Sequence, residues 1–131
     1  MNLASNTSSL AGRVLLSAIF ISAGVSKLGA GYAGTQGYME SMGISGALLP
    51  LVIVTEIMAG LAVLLGFKTR VAALVLAGFS LLAAVLFHFD FSDQMQSILF
   101  MKNLAIAGGL LTLVAHGSGA FAIDNLRVNR N

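Results

Sequence analysis

LPLVIVTEIMAGLAVLLGF, residues 49–67, decides how this chain is read. It is long enough and apolar enough to cross a hydrocarbon core about 30 Å thick. It also carries one carboxylate, Glu56, inside the apolar run. A charge at that depth costs on the order of 3 kcal/mol even on lenient insertion scales. Such a residue is kept where it has a partner or a task. The question the sequence poses is what Glu56 faces.

The rest of the chain has the same character. Of its 131 residues, 57% are hydrophobic and only 9% are charged, against about 25% charged in an ordinary soluble domain. The apolar residues fall into four long blocks, not into the short alternating segments of a membrane barrel. The net charge is +2. The lysines and arginines sit at segment ends, where they act as topology signals and make no nucleic-acid footprint. Cysteine is absent. Disulfides, thiolate nucleophiles and Cys-ligated zinc or iron–sulfur clusters are therefore excluded as properties of this chain alone. A redox role needs a bound cofactor, a diffusible quinone or a partner protein. Two histidines without a nearby pair of carboxylates predict no metal site.

These features predict an all-α integral membrane four-helix bundle with helices over about residues 10–28, 47–67, 70–89 and 98–116. Thr7, Ser8 or Ser9 is the expected cap of the first helix. The charged flank of a cleaved leader is weak in this first segment. Arg13 and Lys27 are expected to snorkel outward from its uncharged centre. The glycine-rich link at residues 29–45 predicts either a short helix over 35–42, ended by Gly43, or a re-entrant loop over the bundle mouth. Pro50 suits a first helical turn. Arg13, Lys68, Arg70, Arg127 and Arg130 fall on one side; Lys27 and Lys102, with Glu40, Asp90 and Asp93, fall on the other. The positive-inside rule then puts both termini in the cytoplasm.

Helical spacing aligns Arg13, Ser17, Phe20, Gly24 and Lys27 on one face of the first segment. Arg70, Ala73, Ala77, Ala84 and His88 align on the third, and Lys102, Ile106, Gly109, Leu113 and His116 on the fourth. Faces of small residues are where membrane helices approach closely, and they permit a homodimer without requiring one. The topology brings Glu56, Lys27, His88, Lys102 and Asn103 toward one outward-opening pocket. Glu56 is expected to pair with Lys102 or Lys27. Phe87, Phe89, Phe91 and Phe100 are candidates for an apolar mouth, with lipid contact as the plainer alternative.

Several stretches carry a family resemblance: FISAGVSKLG, GYAGTQGYMESMG, the TEIMAGLAVLLGFKTR run, FHFDF, FMKNLAIAGG and the closing GSGAFAID. Together they resemble the DoxX family, and specifically its small inner-membrane members, over nearly the whole chain. The resemblance implies a four-helix protein of a bacterial inner membrane, linked to quinone and sulfur redox chemistry. It carries functional weight onto Lys27, Glu56, His88 and Lys102.

The first expectation is therefore a redox-linked membrane subunit, served by a redox partner protein, that binds a quinone or similar aromatic compound. Glu56 would act as general acid–base. Lys27, His88, Lys102 and Asn103 would bind the substrate, with no covalent cofactor. The alternatives are a small proton-coupled carrier and a non-catalytic scaffold in which Glu56 and a lysine hold helices in register.

Overall fold

The computed structural model describes residues 2–126, and among them every regular element is helical. Four helices are long and apolar enough to cross a membrane: α1 (Leu3–Ser26), α3 (Gly46–Leu65), α4 (Thr69–Phe87) and α5 (Gln94–His116). Between the first two lies α2 (Gly31–Ser41), and α6 (Ile123–Leu126) closes the described chain. The expected short helix is thus real, but it starts four residues before Thr35. Arg127 and Arg130, used in the count of positive charge, lie outside the described residues.

Local chemistry explains most boundaries. The first helix begins at Leu3, well before residue 10, because Asn2 caps it by accepting from the Ser5 N–H at 2.8 Å. Thr7 does not cap; its hydroxyl donates back to the Leu3 carbonyl. Pro50 stands in the first turn of the regular part of α3, where its missing N–H has no partner to lose. Asp93 caps α5 by accepting from Met95 and Gln96. Gly66 turns α3 off in the left-handed region, at φ +70°.

Small residues set the packing, because lipid offers helices no hydrophobic reason to associate. A Cβ built on Gly24 of α1 would lie 2.6 Å from Ile57 Cγ1 and 3.2 Å from Glu56 Cβ. One built on Gly60 of α3 would lie 2.9 Å from Ile21 Cγ1. The backbones of α1 and α3 therefore cross at these glycines. Ala73 and Ala77 of α4 share a buried cluster with Ala107 and Leu110 of α5. The predicted buried face of α1 holds through Arg13, Ser17, Phe20 and Gly24. That of α5 holds only in its middle, where Ile106 and Leu113 pack in the core while Lys102 and His116 are exposed. Its buried residues are Ala107, Leu110 and Leu113; they begin five positions after Lys102.

One end of the bundle is closed by a charge. Arg13 is fully buried rather than snorkelling. Its Nη1 donates to the carbonyls of Leu64 at 2.9 Å and Val63 at 3.3 Å, and its Nη2 to that of Phe121. The first two belong to the last turn of α3, which carries the negative end of the dipole; the Val63 carbonyl also accepts from the Gly66 N–H at 3.2 Å. The segment after α5 folds back over the same end. Asp124 accepts from the Lys68 N–H at 2.7 Å, and from the Thr69 N–H and hydroxyl at 2.9 and 2.7 Å. It thereby caps α4, which has no side-chain cap of its own. Burial pushes the Asp124 carboxyl up, but these hydrogen bonds and the nearby Arg13 charge outweigh it and hold the group below the usual carboxylate range.

Candidate functional site

At the other end the bundle is hollow. A cavity of about 410 Å³ lies between α2, α3 and α4. Glu56 stands at its deep end. Leu48 lies eight residues earlier on α3, about 12 Å nearer the mouth at 1.5 Å per residue. On α4 the lining runs from Phe79, deep, to His88 at the mouth. Nearly all of the wall is hydrocarbon.

Glu56 is 2% exposed, and its Oε1 accepts from Lys27 Nζ at 2.7 Å. Lys27 ends α1, where its ammonium also reaches the Ala23 carbonyl at 3.4 Å. No hydrogen bond from the described residues reaches Glu56 Oε2. Glu56 also sits in a π-helical turn, Thr55–Ala59, inside the otherwise α-helical α3. Such turns often mark functional positions in helices.

His88 lines the mouth and pairs through Nδ1 with Gln96 Oε1 at 2.7 Å, not with Glu56. The ring of Tyr38, from α2, stacks on Phe87 with centroids 5.7 Å apart. Met39, also from α2, is buried against Leu49 and Ile53. α2 is thus a roof over the mouth.

Of the five residues expected at the pocket, three line it: Glu56, Lys27 and His88. Lys102 and Asn103 are not among the lining residues, and Lys102 is exposed. Of the two partners expected for Glu56, Lys27 meets it and Lys102 does not, because the cavity lies between α2, α3 and α4 and no residue of α5 lines it. Of the four phenylalanines only Phe87 lines the cavity. Phe89, Phe91 and Phe100 pack edge to face on one another instead. Sequence reasoning missed the π-turn, the Tyr38–Phe87 stack and Gln96. The spacing of eight between His88 and Gln96, across a short turn, was the one available signal. Among the described residues no three His, Asp or Glu side chains gather as a metal site.

Fold and site together define a small polytopic membrane protein with an acid–base pair at the floor of an apolar cavity. The DoxX family pattern matches residues 8–89, which span α1 to α4 and all of the cavity lining. The chain belongs to the DoxX family. It is 54% identical to inner membrane protein YqjF of Escherichia coli (strain K12) over 117 residues, 89% of each chain. It is 35% identical over 122 residues to inner membrane protein YphA of the same organism, covering 88% of this chain and 86% of that one. No solved structure matches the fold. With four apolar helices and these relatives, it is a multi-pass protein of a bacterial inner membrane.

Proposed function

We propose that this protein binds a quinone or a similar small aromatic carbonyl compound in the cavity between α2, α3 and α4, as the membrane part of a redox system. One observation carries the reading: an ammonium and a carboxylate 2.7 Å apart stand at the floor of an otherwise apolar cavity. Its volume of about 410 Å³ lies in the range of small-molecule sites, roughly 300–1,000 Å³, where a few polar groups fix orientation. Lys27 donates to a ligand carbonyl. Glu56 gives and takes the protons that accompany two-electron reduction. A redox partner protein supplies the electrons.

The orientation follows from charge. Among the described residues Arg13, Lys68 and Arg70 gather at the closed end, against Lys27 and Lys102 at the hollow one, which also holds Glu40, Asp90 and Asp93. Positive residues favour the cytoplasm, so the closed end faces inward, both termini are cytoplasmic, and the cavity faces outward.

The test is mass spectrometry of small molecules retained by the gently solubilised protein, with thermal shift in the presence of a short-chain quinone. The expected result is a retained aromatic compound and a quinone-dependent rise in Tm, both lost in Glu56→Gln. No aromatic ligand and no shift would overturn the proposal. A second reading has its own observation. The Glu56 Cβ sits where Gly24 lets α1 cross α3, so the pair also pins these helices. If register is its only role, Glu56→Gln lowers Tm equally with and without quinone.

A further inference from the structure

The walls of the cavity differ in what lies behind them. On the α1 side Glu56 is 2% exposed, and the α2 side is roofed by the buried Met39 and the Tyr38–Phe87 stack. On the remaining side the lining residues are themselves open to the outside. Leu48 and Leu51 of α3 are 47% and 64% exposed, and Leu82 and Leu86 of α4 are 58% and 37% exposed. Each of these leucines also lines the cavity. All four belong to helices that cross the membrane, so what touches them from outside is hydrocarbon. They form two facing rails, one on each helix, with a slot between them.

Resting on the reading of the cavity as a ligand site, we infer that its ligand is a lipid-soluble amphiphile that arrives sideways from the bilayer. Its polar ring lies against Lys27 and Glu56, and a single apolar chain leaves between Leu48–Leu51 and Leu82–Leu86.

The chemistry of the two ends fits this one class. The floor offers an ammonium donor and a carboxylate whose Oε2 takes no hydrogen bond from the described residues. A ring carbonyl accepts from the ammonium, and a ring hydroxyl donates to the carboxylate. The slot is walled by leucine, and the Thr55 hydroxyl beside it already donates to the Leu51 carbonyl, so an alkyl or isoprenoid chain fills it without losing any hydrogen bond. A charged or sugar-like substrate would have to shed its water to pass these rails, a loss that nothing on them repays. Arrival from lipid also needs no opening of α2. The roof can stay shut while the ligand exchanges, which keeps water from the acid–base pair.

The experiment uses the full chain in lipid nanodiscs and a benzoquinone bearing a decyl chain tipped with a diazirine. After illumination, the labelled residues are mapped by peptide mass spectrometry. The expected labels fall on the rails, within residues 48–55 and 82–86. A tailless benzoquinone in excess suppresses them by competing at the floor. The double variant Leu51→Trp/Leu82→Trp, which fills the slot from one residue on each rail, lowers labelling about tenfold, the scale on which a misfilled apolar pocket discriminates.

Labels on α2 or the loop at residues 88–93, with none on the rails, would overturn lateral arrival while leaving the floor site standing. A diazirine phospholipid that labels the rails and is not displaced by the decyl quinone would assign the slot to bilayer lipid, and would also overturn the inference. If neither quinone binds the wild-type protein at all, the ligand-site reading itself fails.

Discussion

The two ends of this bundle each bury a charge, and they treat it in opposite ways. At the closed end, Arg13 is wrapped by protein. Its two Nη atoms donate to backbone carbonyls of α3 and of the segment after α5 while its Nε is buried without a partner among the described residues, and Gly66 lets the chain close around it. At the hollow end, Glu56 meets one lysine and then a cavity. Both arrangements make a charge tolerable in hydrocarbon. Only the second leaves polar atoms beside space that another molecule can fill. Burial of a charge in a membrane is therefore weak evidence of function by itself; what distinguishes the two sites is whether the charge stands beside space that a ligand can enter.

Breaking the closed end should have the largest effect on stability. Arg13→Met strands the carbonyls it served, and the expected loss is on the order of 4 kcal/mol, read as reduced resistance to denaturation in detergent. Arg13→Lys should recover little of it, because an ammonium cannot reach three carbonyls in the fork geometry of a guanidinium. A mild effect of Arg13→Met would erase the contrast between the ends.

Breaking the pair at the hollow end should cost less. Lys27→Met should destabilise by about 3 kcal/mol, the low end for a buried pair that loses one member, because the Lys27 side chain is already 22% exposed and a lone Glu56 can take up a proton. Glu56→Gln added to Lys27→Met should restore part of the loss, with a coupling of about 1–2 kcal/mol in the double-mutant cycle. Strict additivity would mean that the two groups do not depend on each other.

The crossing between the ends is next. Gly24→Ala pushes a methyl into Ile57 and the Glu56 stem, and about 2 kcal/mol of overpacking strain is expected. Quinone binding should fall with it, since the pair is displaced as the helices part.

The smallest effect concerns Asp124. Losing a helix cap costs about 1 kcal/mol, so Asp124→Asn should lower Tm slightly at neutral pH. The folded pKa is depressed. Its contribution is therefore full above the unfolded value, about 3.9, and is lost as pH falls through the lower folded value. The wild-type protein should lose stability over that acid range, and Asp124→Asn should flatten the loss.

The crossing helices were legible in the residues because hydrocarbon imposes a simple rule: a helix must satisfy its own backbone over about twenty apolar residues. The same rule made Glu56 conspicuous, and the face from Arg13 to Gly24 followed from period alone. Lys102 shows where period stops helping. Its spacing to Ile106 and Leu113 was sound, and both pack in the core, but the cavity lies between α2, α3 and α4, where no residue of α5 reaches. Arg13 was misread for a related reason. Its neighbours in sequence are all on α1, whereas its partners are 50 to 108 positions away.

The chain by itself determined that there would be four spans, an acid within one of them, and basic residues able to meet it. Tertiary structure alone chose Lys27 as the partner, hollowed the space beside the pair, and closed the far end with Arg13 and Asp124. The physical reason is that period and hydropathy are local along the chain, whereas the rotation of one helix against another and the volume left between them depend on packing across it.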